Sequence, residues 1–137
     1  MQKTIFSGIK PTGRPHIGNY FGAMRQFVKL QNENEGGTNY FCVVDYHALN
    51  LVQNAEEMIK LSLDVAIDFL AIGLDPKKSV IFKQSDVLEH TELAWIFDTI
   101  TTMPYLKRAH AYKDAVAKGG EEYVSAGTFS YPMLMAA

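Results

Sequence analysis

This 137-residue chain has a single cysteine, no long apolar run and only a small net charge, and each of these features excludes a class of protein. The single cysteine, Cys42, has no partner within the chain, which excludes a disulfide framework and suits a reducing compartment. No apolar run approaches the roughly 20 residues that a membrane span requires, so we expect no membrane partner. The formal net charge of −2 argues against a protein whose whole surface binds nucleic acid, although it is compatible with a local basic patch.

Two common nucleotide-binding motifs are missing as well. The sequence contains neither the dinucleotide fingerprint Gly-x-Gly-x-x-Gly nor the P-loop pattern Gly-x-x-x-x-Gly-Lys-Ser/Thr. His, Cys, Asp and Glu do not cluster with metal-ligand spacing, so we expect no tightly bound metal held by protein ligands. The N-terminus passes directly from MQKTI into the first predicted strand, which leaves no room for a signal or transit peptide. We therefore expect a cytoplasmic protein.

The apolar segments that are present alternate between strand and helix patterns, which predicts an α/β fold. Strands are predicted at 3–8, 39–45 and 79–84, and helices at 17–34, 54–72, 89–102 and 105–118, with a further short helix from about residue 129. This alternation implies a parallel sheet of the doubly wound, Rossmann-like type, of which only the first half can be identified. The chain stops inside the apolar sequence YPMLMAA, so we expect a fragment of a larger domain.

One connection is much richer in special backbone residues than a strand-to-helix junction requires. Residues 7–23, SGIKPTGRPHIGNYFGA, contain four glycines and two prolines. Within this segment, His16 and Asn19 lie at the start of the first predicted helix, where side chains on one face and backbone N–H groups favour phosphate. Spacing alone leaves a second interpretation open, in which His16 only decorates a turn and Gly18 allows helix–sheet packing.

Three motifs along the chain resemble those of one enzyme family. FSGIKPTGRPHIGNYFGA resembles the H-I-G-H-type signature of class I aminoacyl-tRNA synthetases, in the H-I-G-N form of the tryptophanyl-tRNA synthetases. VDYHAL and SAGTFSYPMLMAA resemble two further segments of that family, in the same order. The resemblance implies that residues 1–137 are the N-terminal portion of the Rossmann-like catalytic domain. The rest of that domain, its K-M-S-K-S loop and the anticodon-reading helical domain are absent, so we expect this chain alone to be poorly active or inactive.

The resemblance also implies a reaction and the residues that carry it. A tryptophan–tRNA ligase activates tryptophan with ATP, releases pyrophosphate, and transfers tryptophan to the 3′ end of tRNA(Trp), with Mg²⁺ arriving on ATP. His16 and Asn19 match the catalytic positions, and the ATP-binding positions match Lys10, Pro11, Thr12, Gly18 and Asn19. Lys10 stands where the family often has glutamine, which leaves its role open. The positions that enclose the tryptophan side chain match Phe6, Gly8, Val44, His47, Tyr131 and Met135.

Other interpretations remain open at this stage. The fold and the signature also fit a tyrosyl-tRNA synthetase, a small nucleotidyltransferase with a His-x-Gly-His-type turn, or a noncatalytic module derived from a synthetase. Asn19 and YPMLMAA favour tryptophan.

The resemblance implies a homodimer in the full-length form, with ELAWIFDTITTM as a plausible interface, although Trp95 within it is expected to be packed. The basic segment 105–118 is either a solvated face or a contact for tRNA phosphates. Asp45 is expected to be structural, accepting hydrogen bonds from loop N–H groups.

Overall fold

A computed structural model describes residues 3–137, which form two compact units that meet in sequence between Asp86 and Val87. The first unit contains three parallel strands: β1 (Thr4–Ile9), β2 (Thr38–Val43) and β3 (Val80–Lys83). Their order in the sheet is β1-β2-β3, with β2 in the centre, which confirms the predicted parallel α/β architecture. The carboxyl ends of the three strands therefore lie along one edge of the sheet, where open α/β sheets bind their ligands.

The first long helix is interrupted near its start by a wider turn. It begins as α1 (Ile17–Asn19), continues as a π-helical segment (Tyr20–Met24) and ends as α2 (Arg25–Glu33). The predicted helix at 17–34 is therefore present, but its period changes in the middle. Such π turns inside α-helices are frequent at functional sites.

Two further α-helices belong to the first unit. They are α3 (Asp45–Ala48) and α4 (Ala55–Ala71). The predicted strand at 39–45 is too long at its carboxyl end, because Asp45 is the first residue of α3. The carboxylate Oδ1 of Asp45 accepts hydrogen bonds from the N–H groups of Tyr46 at 3.1 Å and Ser85 at 2.9 Å. Asp45 therefore accepts hydrogen bonds from backbone N–H groups as expected, although the donors lie in short helical segments and not in loops.

Aromatic residues from two helices and the central strand form the core of the first unit. The ring of Phe27 on α2 packs against Phe41 on β2 and Phe69 on α4, with centroids 5.1 and 6.2 Å apart. Val43 joins the same core. Because alternate residues of a strand point to one face, α2 and α4 cover the same face of β2. The opposite face is left for side chains such as Phe6.

The second unit is helical and differs from its prediction in three places. It contains α5 (Glu89–Ile100), α6 (Met103–Leu106), α7 (His110–Gly119) and α8 (Ala126–Ala136). The single helix predicted at 105–118 is wrong, because a turn at 107–109 separates α6 from α7. The helix expected from about residue 129 begins at Ala126, because the hydroxyl of Ser125 accepts the N–H of Thr128 at 3.1 Å and caps it. Trp95 is 70% exposed, so the expectation that it packs inside is wrong.

The helices of residues 3–137 fall short of the length and apolar character that crossing a bilayer would take.

Candidate functional site

The loop from β1 to α1 has a defined shape that several contacts hold in place. Pro11 is fully buried, and the N–H of Thr12 donates to the carbonyl of Lys10 at 2.9 Å. Gly13 has φ +146°, a backbone conformation that residues with a Cβ rarely adopt. The guanidinium of Arg14 forms a 3.1 Å ion pair with Asp68 on α4. Lys10 and Thr12 are exposed, whereas Pro11 can contribute to a ligand site only through the shape of the loop.

His16 and Asn19 cap the first turn of α1 reciprocally. The Nδ1 atom of His16 accepts the N–H of Gly18 at 3.0 Å, and the N–H of His16 donates to Oδ1 of Asn19 at 2.9 Å. The backbone carbonyl of His16 accepts the N–H groups of Asn19 and Tyr20 at 2.9 and 3.1 Å. The helix start therefore satisfies most of its own N–H groups, and His16 supplies the acceptors for three of them.

This cap decides which atoms His16 and Asn19 can offer to a ligand. An imidazole nitrogen that accepts a hydrogen bond carries no proton, so in neutral His16 the proton lies on Nε2. An amide whose oxygen accepts a hydrogen bond presents its Nδ2 donors elsewhere. Both exposed side chains are thus fixed as hydrogen-bond donors. Two donors on the first turn of one helix are suited to bind an anion.

Gly18 is required by the position of the His16 ring. A Cβ built on Gly18 would lie 2.8 Å from Cε1 and 3.0 Å from Nδ1 of His16. These distances are shorter than a carbon atom tolerates, so any side chain at 18 would push the ring out of its place in the cap. Gly18 therefore supports the site through His16.

Phe6 and Gly8, on the strand face opposite α2 and α4, and Val44, directly after β2, are three of the residues predicted to enclose tryptophan. Phe6 is 61% exposed, and its ring stacks on Phe82 at a centroid distance of 6.3 Å. Gly8 lies so close to its neighbours that a Cβ would come 2.6 Å from Cγ2 of Val44 and 2.5 Å from the carbonyl oxygen of Cys42. The absence of a side chain at Gly8 thus allows Val44 to approach β1, and the structure brings Gly8 and Val44 together.

His47 follows the same strand edge but is almost fully buried on α3. Its Nδ1 atom lies 3.0 Å from Oε1 of Gln84, directly after β3. Sequence reasoning missed Gln84 as the partner of His47. The signal was the position of both residues after neighbouring strands, since such ends meet at one edge of a parallel sheet.

Tyr131 and Met135, the other two predicted tryptophan-binding residues, lie one helical turn apart on α8 in the second unit. Both line a cavity of about 530 Å³ within that unit. Such a volume falls in the range of small-molecule sites. The structure thus brings these two residues to a single cavity.

Two further groups have unusual electrostatic environments. Burial raises the pKa of the Cys42 thiol to about 12, with Asp45 and Asp86 adding to the shift, so Cys42 stays protonated and is not a nucleophile.

In the second unit, Lys107 donates to Oε1 of Glu121 at 2.8 Å and Tyr112 donates to it at 2.6 Å. These bonds lower the pKa of Glu121 and raise the pKa values of Lys107 and Tyr112. Within residues 3–137, no three His, Cys, Asp or Glu side chains group to hold a metal ion.

Comparisons with known proteins place the chain in a family. Residues 2–137 match the model of the class I tRNA synthetases that comprise W and Y enzymes, and the chain therefore belongs to this family. It is 48% identical over 135 residues to a tryptophan–tRNA ligase of Fusobacterium nucleatum and 50% identical over 133 residues to one of Rhodopirellula baltica. These matches cover 98% and 97% of the chain but 40% of each relative. The chain thus spans about 40% of the length of these curated relatives.

A solved structure agrees with these relatives. The crystal structure of Campylobacter jejuni tryptophanyl-tRNA synthetase in complex with ADP and tryptophan is similar with a TM-score of 0.87 and 46% identity, over 98% of this chain and 40% of that one. The tyrosine enzyme and the nucleotidyltransferase are not favoured, since the relatives with this identity are tryptophan–tRNA ligases.

Proposed function

We propose, on the premise of membership in the W and Y class I tRNA synthetases, that the protein containing this chain is a tryptophan–tRNA ligase. The observation that carries the proposal is the reciprocal cap of His16 and Asn19, which uses the acceptor atoms of both side chains and leaves their donor atoms for a ligand at the start of α1. The names of relatives at 48% and 50% identity support tryptophan as the amino acid.

The proposed first step is attack of the tryptophan carboxylate on the α-phosphate of ATP. The new bond joins a carboxylate oxygen to phosphorus, and the bond to pyrophosphate breaks. His16 Nε2 and Asn19 Nδ2 would donate to phosphate oxygens and stabilise the charge that develops on them. Preorganised donors of this kind contribute roughly 3–4 kcal/mol each. No covalent enzyme intermediate is needed, because positioning and electrostatics carry the step.

We propose that ATP lies along the loop from β1 to α1, with Mg²⁺ arriving as part of this substrate. Lys10 and Thr12 have the exposure to contact the nucleotide directly, and Lys10 would add a positive charge near its phosphates. Pro11 and Gly18 would act through shape, the first by its burial and the second by making room for His16. The complex of the Campylobacter jejuni relative with ADP supports a nucleotide substrate.

We propose that the residues matched to the tryptophan-enclosing positions of the family contact the tryptophan side chain. In the first unit Phe6 offers an exposed ring, Gly8 and Val44 lie together, and His47 lies after β2. In the second unit Tyr131 and Met135 share a cavity. Apolar fit discriminates by only about 1–3 kcal/mol per methylene-sized difference, so a polar group that recognises the indole N–H is expected elsewhere in the protein.

We further propose that the full-length enzyme is a homodimer. Helix α5 leaves Trp95, Ile96 and Ile100 from 54% to 72% exposed. Exposed apolar residues of this number on one helix mark an interaction surface. A second copy of the chain is the simplest partner, since most oligomers are symmetric dimers. Sedimentation at micromolar concentration should show a dimer, and a monomer there would contradict this part of the proposal.

The remaining partners and the location follow from the same activity. Transfer of tryptophan requires tRNA(Trp) as the second substrate, and charging takes place where translation does. We therefore propose a cytoplasmic enzyme, in agreement with the reducing environment that the lone cysteine suggests.

The test is pyrophosphate exchange with the full-length gene product, measured with ATP and each amino acid separately. Exchange that depends on tryptophan supports the proposal, whereas exchange that depends on tyrosine would favour the other branch of the family. Exchange that no amino acid supports, but that a different acceptor of the adenylyl group does support, would indicate a nucleotidyltransferase. Absence of exchange, together with tryptophan binding, would indicate a noncatalytic module.

A further inference from the structure

The cavity next to α8 combines an apolar interior with two basic side chains. Leu106, Ala109 and Met135 contribute apolar surface, and Tyr131 contributes a ring. Arg108 and His110 line the same cavity from the turn between α6 and α7. Both basic residues are exposed. A largely apolar cavity with a few convergent polar groups is the usual form of a site for a small molecule.

The cations of this segment fall into two classes. Lys107 is paired with Glu121 at 2.8 Å, and Lys118 is paired with Asp114 at 2.7 Å. Within residues 3–137, the side chains of Arg108, His110 and Lys113 form no hydrogen bond or ion pair, and of these three only Arg108 and His110 line the cavity. Two of the three basic groups that remain available in this segment therefore lie at the cavity.

Contacts on both sides hold this turn in place. Lys107, which precedes Arg108, is bound to Glu121, and the hydroxyl of Tyr112 donates to the same carboxylate at 2.6 Å. The ring of Tyr112 packs edge-on against Phe129 of α8, with centroids 5.2 Å apart. The backbone of residues 108–110 thus lies between two anchored residues. The first turn of α7 lacks a side-chain cap, so its N–H groups add to the positive potential.

We propose that Arg108 and His110 bind the anionic group of the aromatic substrate whose side chain contacts Tyr131 and Met135. The inference rests on the proposed function, because that function places tryptophan at these two residues. The anionic group is either the carboxylate of tryptophan or the phosphate of its adenylate. Both present oxygen atoms that a guanidinium can bind with two parallel hydrogen bonds.

A tRNA contact for this segment is the weaker interpretation. A surface that follows a nucleic-acid backbone needs several available cations, since each neutralises one phosphate. Here Lys107 and Lys118 are neutralised by acids of the same unit, and two of the three available basic groups line a mainly apolar cavity, which leaves Lys113 alone for a phosphate backbone.

The experiment measures dissociation constants of three ligands for the full-length protein by calorimetry. Tryptamine has no anionic group, tryptophan has a carboxylate, and tryptophanol adenylate has a phosphate but no carboxylate. Arg108→Ala should weaken tryptophan about 10- to 100-fold if the carboxylate is bound, or tryptophanol adenylate by the same factor if the phosphate is bound. Tryptamine should bind Arg108→Ala and the wild type equally, and Arg108→Lys should restore part of the affinity.

Lys118→Ala is the matched control, since Lys118 is an exposed cation of the same segment outside the cavity. His110→Ala provides a second variant if Arg108→Ala fails to fold. The inference would be overturned if each of the three ligands bound Arg108→Ala and His110→Ala with the same dissociation constant as it binds the wild type. A change confined to the KM for tRNA would also overturn it and would favour the tRNA contact. Wild-type protein that binds no tryptophan would instead overturn the proposed function, and this inference with it.

Discussion

The substitution Asn19→Asp separates the two tasks that the structure gives to Asn19. The side-chain oxygen of Asn19 accepts the N–H of His16 at 2.9 Å, and its Nδ2 group is the proposed donor to phosphate. Aspartate keeps an oxygen at the first position and replaces the donor with a second, negatively charged oxygen. Asn19→Ala removes both. The pair of variants therefore tests whether Asn19 acts on the ligand or only on the helix.

The structure gives different magnitudes for the two variants. Loss of an N-cap interaction costs about 1 kcal/mol, so Asn19→Ala should lower the melting temperature. Asn19→Asp retains the acceptor and places a negative charge in the first helical turn, which contributes about 0.3–1 kcal/mol in favour of folding. For exchange, each lost transition-state donor costs about 10²- to 10³-fold. Repulsion between a carboxylate and phosphate should make Asn19→Asp the slower enzyme.

The assays are tryptophan-dependent pyrophosphate exchange and thermal melting, both with the full-length protein. We expect Asn19→Ala to be less stable and slower than the wild type, and Asn19→Asp to be as stable as the wild type and slower than Asn19→Ala. His16→Ala should also lose about 10²- to 10³-fold in exchange. Wild-type exchange by Asn19→Asp would refute the reasoning, because it would show that capping alone is the task of Asn19.

Three further predictions follow from single contacts. Gly18→Ala should lower exchange, because the added Cβ would lie 2.8 Å from Cε1 of His16 and would push the ring out of the cap. An unchanged rate would show that the ring position is unimportant. Cys42 should not react with a disulfide reagent at pH 8 until the chain unfolds, because burial raises its thiol pKa to about 12; rapid reaction of the folded protein would contradict this. Lys107 and Tyr112 lower the pKa of Glu121, so its stabilising contribution is present above the ordinary carboxyl pKa and is lost as pH falls through the folded-state value. The difference in melting temperature between wild type and Glu121→Gln should therefore shrink on acidification, and a gap that is constant from pH 7 to 3 would argue against it.

Local signals were sufficient where the residues that decide a boundary are close in sequence. Asn54 was expected to begin the second long helix, and its side-chain oxygen accepts the N–H of Glu57 at 2.9 Å. The apolar pattern of residues 39–45 predicted a strand, and Phe41, Cys42 and Val43 of β2 are all buried. The cap at His16 could also have been predicted from the sequence, because its partners Gly18, Asn19 and Tyr20 all lie within four residues of it.

Boundaries that depend on distant contacts were not predictable in this way. The turn between α6 and α7 contains neither glycine nor proline, and residues 105–118 have an unbroken helical composition. Lys107 binds Glu121, which lies 14 residues later, and this contact is invisible to periodicity. Likewise, apolar spacing on α5 predicted a packed Trp95, although spacing cannot show whether anything covers the helix. The tryptophan-binding set named from the resemblance stays a prediction.

The loop from β1 to α1 connects these observations to the proposed chemistry. Its backbone is fixed at Pro11 by burial and at Gly13 by a φ of +146°, and Gly18 leaves the space that the His16 ring occupies. The same ring accepts the hydrogen bond of the Gly18 N–H, and the carbonyl of His16 accepts those of Asn19 and Tyr20. A phosphate at this helix start would therefore find few backbone donors, in contrast to a P-loop, where backbone N–H groups surround the phosphate. Recognition must then come from the side chains at positions 16 and 19, whose donor atoms the cap has already oriented. This explains why one short segment concentrates residues with special backbone angles beside two residues with polar side chains.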